Sequence, residues 1–202
     1  MKLPAGATVA FYGDSLTAGF GASSAATRWS ALLCATHGWR EVNPSISGLG
    51  FVQARGARDV PATIVAAKPD LILVTLGAND LWLVAQRARE VETAIHADLR
   101  RLRDETDAVI LVAMPFSPIS YRPAQLVSLE GWLRDASAAI GAGVIESASW
   151  MADQVGMTID PVHFNDAGER RVAELMDAAL AALDDQPAPG ARASTPGDTR
   201  SG

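Results

Sequence analysis

Short apolar runs that alternate with amphipathic segments constrain the fold of this chain more than any other feature. Three runs, Ala7–Tyr12, Leu71–Leu76 and Ala108–Met114, consist almost entirely of apolar residues. A strand has such an unbroken run when both of its faces are covered, as in a parallel sheet. Between the last two runs, Arg89–Arg103 places apolar residues at helical spacing. Strands that alternate with helices predict βαβ units, and therefore a three-layer α/β/α fold with a mostly parallel sheet.

The other elements follow from apolar spacing and from residues that begin or end helices. Further helices are predicted at Arg28–His37, Asp59–Ala67, Pro123–Ile140 and from Asp166 onward, and short strands around Val42 and at Gly143–Glu146. These two strands bring the predicted sheet to about five strands, which is the usual size of a sheet. Asp166 and Glu169 resemble a capping box at the start of the last helix.

The length and the C-terminal composition predict one domain followed by a tail. A chain of 202 residues suits one domain with a full-sized core. We assign residues 1–185 to that domain. Residues 186–202 contain three prolines, three glycines and no large apolar side chain. Such a segment cannot bury enough surface to order itself, so we predict a disordered C-terminal tail.

Charge and hydropathy exclude two classes of partner. The formal net charge is −6, Lys2 and Lys68 are the only lysines, and the arginines are scattered. Nucleic acid requires clustered basic side chains, so no nucleic-acid partner is predicted. No apolar run has the ~18 residues of a membrane span, and the N-terminus lacks a signal-peptide pattern, so we expect a cytoplasmic protein. The sequence does not predict the oligomeric state.

Polar residues follow the predicted strands at the points where parallel sheets place their functional sites. These sites lie at the carboxyl ends of the strands. The relevant segments are Gly13-Asp14-Ser15-Leu16, Ser47-Gly48-Leu49-Gly50 and Gly77-Ala78-Asn79-Asp80, together with Asp160-Pro161-Val162-His163 before the last helix. We therefore expect these four segments to meet at one edge of the sheet.

The residue types in these segments suit acyl transfer. A serine such as Ser15 is a weak nucleophile until a base activates it. His163 and Asp160, three residues apart, could supply that base and the carboxylate that orients it. The backbone amides of Ser15 and Gly48 and the side-chain amide of Asn79 could donate to the oxyanion.

The four segments resemble the sequence blocks of the SGNH hydrolases, also called the GDSL esterase/lipase family. The first, with its Thr17-Ala18-Gly19 continuation, resembles the GDSL block, and Gly48 resembles the second block. The third resembles the G-x-N-D block and the fourth the D-x-x-H block. The GDSL letters alone are a weak signal, but four blocks in order over roughly residues 7 to 183 are specific. Phe164 departs from the pattern, because the family usually has proline there.

The resemblance implies a flavodoxin-like SGNH hydrolase fold and a serine esterase that forms an acyl-enzyme on Ser15. It implies that His163 is the general base and acid and that Asp160 is the orienting carboxylate. The oxyanion donors it implies are Ser15, Gly48 and Asn79. The substrate would be a small-molecule ester.

Two further aspartates, Asp14 and Asp80, lie beside the implied catalytic residues. The histidines and carboxylates of the chain lack a recognised metal-ligand spacing. The family's chemistry uses no metal, so we expect neither a metal nor a cofactor. Asp14 and Asp80 are predicted instead to accept hydrogen bonds from the turns that shape the site.

The segments after the third and fourth strands are expected to form the rim of the site. Trp82 and Phe116 give this rim an aromatic, uncharged character, which favours a lipid-like or medium-chain ester or thioester. An acyltransferase on the same scaffold and a carbohydrate acetylesterase remain alternatives. A non-catalytic flavodoxin-like binding module would lack Ser15, Asn79 or His163. An α/β-hydrolase would require G-x-S-x-G, and Thr17 occupies the last glycine position.

Overall fold

The sheet is parallel throughout and reverses its strand order once. The structure, a computed structural model, describes residues 2–56, 58–116, 122–152 and 154–184. Within these residues five strands pair in the order β2-β1-β3-β4-β5. They are β1 (Thr8–Tyr12), β2 (Arg40–Val42), β3 (Leu71–Val74), β4 (Val109–Ala113) and β5 (Gly143–Ile145). Because the order reverses between β1 and β3, a crevice opens at their carboxyl ends.

Helices cover both faces of the sheet, as predicted. They are α1 (Ser15–Ala18), α2 (Trp29–His37), α3 (Val60–Ala66), α4 (Leu81–Glu105), α5 (Ala124–Ala139) and α6 (Asp166–Asp184), with 3-10 turns at Ala25–Thr27 and Ala78–Asp80. Alternate residues of β1 enter different cores. Ala10 and Tyr12 pack with α3, α4 and α5, whereas Val9 and Phe11 pack with α2 and α6. The three-layer α/β/α prediction is therefore confirmed.

The predicted C-terminal tail, residues 186–202, lies outside the described residues, and the described part of the predicted domain ends at residue 184. Among the helices that the structure describes, none combines the length and the apolar character needed to cross a membrane.

The start of α4 differs from the prediction. The helix begins at Leu81 rather than at Arg89, so that it starts directly after the 3-10 turn at Ala78–Asp80. Its backbone departs from helical geometry at Arg87, where φ is −130° and ψ is 33°. Between Val84 and Val91 the chain has no large apolar side chain. The apolar repeat is therefore interrupted where the helix is distorted, which is why the sequence pattern missed its first two turns.

The predicted capping box at the start of α6 is wrong. Asn165 caps this helix, since its Oδ1 accepts hydrogen bonds from two N–H groups of the first turn at 2.9 and 3.1 Å. Asp166 accepts instead from the backbone and hydroxyl of Ser23. Glu169 accepts at 2.8 Å from the N–H of Trp29, the first residue of α2. The two acidic side chains therefore join the start of α6 to Ser23, which follows α1, and to the first residue of α2.

Glu169 should make the stability of the protein depend on pH. Burial raises the pKa of this carboxyl from 4.5 to about 7. The folded state then binds more protons than the unfolded state between those pH values, so stability falls as the pH rises through them. Glu169→Gln keeps an acceptor for Trp29 but does not ionise. We expect its unfolding free energy, relative to the wild type, to rise by about 2–3 kcal/mol from pH 5 to pH 8.

Chemical denaturation at the two pH values measures this difference. Glu174→Gln, at an exposed position of the same helix, is the matched control and should show no such rise. Identical pH dependence of Glu169→Gln and the wild type would contradict the expectation.

Candidate active site

Ser15 lies at the carboxyl end of β1, where the strand turns sharply into α1. Asp14 caps this short helix, because its Oδ1 accepts from the N–H of Leu16 at 3.0 Å. A Cβ at Gly13 would lie 2.4 Å from the hydroxyl oxygens of Thr17 and Thr75, so this turn requires glycine. Ser15 itself is 9% exposed and borders a cleft in the surface. The turn therefore presents a single hydroxyl to the crevice.

A hydrogen-bonded chain joins Ser15 to His163 and Asp160. The Oγ of Ser15 lies 3.0 Å from Nε2 of His163, and Nδ1 of His163 lies 2.8 Å from Oδ2 of Asp160. Hydrogen bonds from the backbone and ring of His163 and from the N–H of Val162 lower the pKa of Asp160 to about 2. An ionised carboxylate only accepts hydrogen bonds, so Nδ1 of His163 donates to Asp160.

The turn that carries His163 is fixed by the backbone around it. The N–H of Ile159 donates to the carbonyl of His163 at 2.9 Å, and Thr158 forms an antiparallel bridge with Phe164. Phe164 is 1% exposed and stacks on Phe116, with ring centroids 6.0 Å apart. The phenylalanine that replaces the family's usual proline therefore anchors the turn in the core.

Asn79 follows β3 and borders the same cleft as Ser15. Its Nδ2 donates to the carbonyl of Leu49 at 2.9 Å and to Oδ2 of Asp14 at 3.3 Å. Asp14 is buried, and burial raises its pKa to about 6. The amide of Asn79 is therefore held beside the residue that precedes Ser15.

Gly48 lies in a turn that is joined to both neighbouring segments. The N–H of Leu49 donates to the carbonyl of Ile46 at 3.1 Å and closes the turn, and Gly48 has a φ of +80°, which favours glycine. The N–H of Ile46 donates to the carbonyl of Gly13 at 3.4 Å. Within the described ranges, the N–H groups of Gly48 and Ser15 donate to no protein acceptor.

Asp80 holds the loop that follows this turn. Its buried carboxylate accepts from the N–H groups of Phe51, Val52 and Gln53 at 2.6, 3.0 and 2.9 Å. A Cβ at Gly50 would lie 2.4 Å from the same carboxylate, so the close approach requires glycine. Asp14 and Asp80 therefore bind the turns of the site, which confirms the prediction for both.

The cleft beside Ser15 has a volume of about 600 Å³. Trp82 borders it with 83% of its surface exposed, whereas Phe116 is 3% exposed and contributes only part of its ring. The sequence pattern missed Gln125, Leu126 and Val162, which also border the cleft. Gln125 and Leu126 lie in the first turn of α5, so their position after β4 was the available signal. The other lining residues are Asp14, Leu16, Ala78, Asn79, Leu81, Ala85, Gln86, Pro115 and Pro123.

One contact of the site, between Phe20 and His163, had no signal in the sequence. The ring of Phe20 lies against the imidazole of His163, with centroids 4.5 Å apart. Nothing in the local sequence indicated this contact. Residues 117–121 of the segment after the fourth strand, which was expected at the rim, lie outside the described residues. Histidine, cysteine, aspartate and glutamate side chains of the described ranges form no group of three that could hold a metal ion.

The fold and the family together define the class of this protein. A parallel five-stranded sheet with serine, histidine and asparagine segments at its carboxyl edge is the architecture of an SGNH-type carboxylic ester hydrolase. The chain belongs to the GDSL-like lipase/acylhydrolase family, whose model matches residues 11–171. No sequence among the curated proteins matches the chain.

Solved structures share the fold over nearly their whole length. TesA is 26% identical, with a TM-score of 0.72 over 87% of this chain and 99% of that one. The psychrotrophic esterase EstA from Pseudoalteromonas sp. is 22% identical, with a TM-score of 0.70 over 89% and 99%. Axe2, an acetylxylan esterase from Geobacillus stearothermophilus, is 19% identical, with a TM-score of 0.68 over 89% and 96%. The predicted SGNH hydrolase fold is therefore confirmed.

Replacement of the Asp80 carboxylate should destabilise the protein through the loop at 51–53. Asp80→Asn keeps the shape but turns an NH₂ group toward at least one buried backbone donor. An unsatisfied buried donor costs about 1–3 kcal/mol, so the unfolding free energy should fall by that amount. Denaturant unfolding of Asp80→Asn measures it.

Asp59→Asn is the matched control for Asp80→Asn, because Asp59 caps α3 but is exposed to solvent. Asparagine caps helices about as well as aspartate, so its cost should stay below about 1 kcal/mol. Equal losses in the two variants would show that burial of the Asp80 contacts is unimportant.

Proposed function

We propose that this protein is a serine esterase that hydrolyses a small or lipid-like carboxylic ester, or a thioester, through an acyl-enzyme on Ser15. The observation that carries the proposal is the 3.0 Å approach of Ser15 Oγ to Nε2 of His163. A histidine in this position accepts the serine proton as the hydroxyl attacks a carbonyl carbon. Asp160 holds the proton-bearing Nδ1 and stabilises the imidazolium that forms.

The proposed reaction has two balanced half-reactions. Attack by Ser15 forms a tetrahedral intermediate, and His163 then gives its proton to the leaving alcohol or thiol as the acyl-enzyme forms. In the second half, His163 takes a proton from water, which attacks the acyl carbon. Collapse of the second intermediate returns the proton to Ser15 and releases the carboxylic acid.

The oxyanion of each intermediate would bind three N–H donors. The backbone N–H groups of Ser15 and Gly48 have no protein acceptor within the described residues, and this supports their assignment. Asn79 is the third proposed donor. One of its amide hydrogens donates to Leu49 at 2.9 Å, and the other makes a longer 3.3 Å contact with Asp14. The longer contact is the one that an oxyanion would share.

The lining of the cleft supports an uncharged, apolar substrate. Among its described lining residues, Asp14 alone carries a charge, and it is buried. Trp82 offers an exposed indole ring beside the nucleophile, and a cleft of about 600 Å³ has room for an acyl chain and an alcohol. A carbohydrate acetylesterase is the second candidate, because the structurally similar Axe2 is an acetylxylan esterase. An acyltransferase would use the same residues with an alcohol in place of water.

Loss of the proposed catalytic groups should abolish turnover without loss of the fold. Ser15→Ala and His163→Ala should each lower kcat by several orders of magnitude, because such residues act as a unit. Asp160→Asn should lower kcat by ~10²–10⁴, since it misorients the base without removing it. Hydrolysis of p-nitrophenyl esters measures these rates. Near-normal turnover by purified Ser15→Ala would refute the assignment.

Asn79→Ala should reveal a donor that acts mainly in the transition state. We expect kcat to fall by about 10²–10³ with little change in KM. The same p-nitrophenyl assay separates the two constants. A rise in KM alone would instead make Asn79 a substrate-binding residue.

The acyl-chain profile should separate the lipid-like substrate from the acetylated sugar. Each buried methylene contributes at most about 0.8 kcal/mol, so kcat/KM should rise roughly tenfold or more from acetate to hexanoate after allowance for incomplete burial. The measurement uses p-nitrophenyl acetate, butyrate, hexanoate and octanoate on one preparation. A steady fall from acetate onward would favour the acetylesterase, and ester products formed from an added alcohol would favour the acyltransferase.

A further inference from the structure

The ring of Phe20 packs against the imidazole of His163 at an inclined angle. The ring centroids are 4.5 Å apart and the planes are inclined by 47°. Phe20 is nevertheless 59% exposed, so much of this large apolar side chain contributes nothing to the core. Within the described ranges, His163 is the only ring that Phe20 contacts. The contact therefore calls for an explanation other than core stability.

Backbone contacts with Ser15 and with the turn of His163 fix the position of Phe20. Gly19 ends α1 with a φ of +76°, and the N–H of Phe20 donates to the carbonyl of Ser15 at 3.0 Å. On the other side, a Cβ at Gly21 would lie 2.0 Å from the carbonyl oxygen of Phe164. Only glycine allows the loop to approach the His163 turn this closely. The backbone at Phe20 is thus fixed to Ser15, and the backbone at Gly21 lies against the turn that carries His163.

The hydrogen bonds of His163 act in the plane of its ring. They hold Nδ1 and Nε2, which both flank Cε1, and they make no contact with the faces of the imidazole, so they oppose a tilt of the ring out of that plane only weakly. The side chain of His163 is 22% exposed and that of Asp160 is 38% exposed, so solvent reaches this part of the site. A rigid group against the ring face restrains the tilt.

An aromatic face also stabilises a cation beside it. The negative face of the Phe20 ring attracts an imidazolium more strongly than a neutral imidazole. Among the described residues, the carboxylates of Asp160 on its own turn and of Asp14 on the loop after β1 interact electrostatically with His163. At the start of α6, the carboxylates of Asp166 and Glu169 bind Ser23 and Trp29 instead (hydrogen bonds of 2.6 to 2.8 Å).

We propose that Phe20 is a positioning residue for ester hydrolysis: it restrains the His163 imidazole between Ser15 and Asp160 and stabilises its protonated form in the transition state. This inference rests on the proposed roles of Ser15 and His163. Phe20 acts through His163 and forms no bond to the substrate.

Phe20→Leu tests the proposal, because leucine keeps the apolar cover but removes the aromatic face. We expect kcat to fall about two- to fivefold with KM nearly unchanged. The acid limb of the kcat/KM profile should move about half a pH unit toward lower pH, since the imidazolium loses a stabilising contact. Phe20→Trp keeps an aromatic ring, so its kcat and its acid limb should lie closer to those of the wild type than the values of Phe20→Leu do. Val155→Ala, at a position that is 96% exposed, is the control and should change neither.

The kinetic outcomes either support or overturn the role of Phe20. A rise in KM with an unchanged kcat and acid limb would show that Phe20 contacts substrate, and it would overturn the proposal. A kcat of Phe20→Trp as low as that of Phe20→Leu would also overturn the proposal. Equal melting temperatures of all variants confirm that the changes do not arise from unfolding.

A second measurement needs no activity and therefore separates this proposal from the proposed function. The chain has three histidines, and imidazole NMR signals can be titrated in Ser15→Ala and in Ser15→Ala/Phe20→Leu. The His163 titration midpoint should move about half a pH unit lower in the double variant, while His37 and His96 stay unchanged. An unchanged midpoint for His163 overturns the proposal. An inactive wild type would refute the esterase, and the NMR comparison would still decide the Phe20 contact.

Discussion

Hydrogen bonds from backbone N–H groups to three aspartate carboxylates fix the segments that surround the crevice. At the carboxyl edge of a parallel sheet the chain leaves the strand ladder, and its backbone donors lose their partners. Asp14 accepts from the first turn of α1, Asp80 accepts from three donors of the loop at 51–53, and Asp160 accepts from two donors of the turn that carries His163. Each proposed catalytic group therefore lies next to a backbone segment that an aspartate has fixed. The site owes its geometry to these carboxylates as much as to the sheet.

The three central strands, β1, β3 and β4, were predictable because both of their faces are covered. The apolar runs that form β1, β3 and β4 could be recognised without knowledge of the neighbouring strands. A short, continuous apolar segment is typical of a strand buried on both faces. The helix ends were harder. Arg87 breaks the apolar repeat of α4, and the acidic residues at the start of α6 bind a distant part of the chain instead of their own helix. Local patterns could not indicate contacts that tertiary structure makes.

The same distinction separates the site residues that were found from those that were missed. Ser15 and Asn79 follow apolar runs directly, and Asp160 lies in the same turn as His163, so short segments were informative. Phe20 contacts a residue far along the chain, and an exposed phenylalanine has no periodicity that marks it. The burial of Phe116 could not be predicted from the sequence either, because it depends on packing against Phe164.

The order of these groups along the chain has a consequence for biosynthesis. The Ser15–His163 hydrogen bond joins residues 148 positions apart, and all five described strands precede His163. All five of these strands and Ser15 are therefore translated before the imidazole. Under the proposed mechanism, an incomplete translation product would have a nucleophile without a base. Under that mechanism, hydrolysis would begin only when the turn that carries His163 has docked against Ser15.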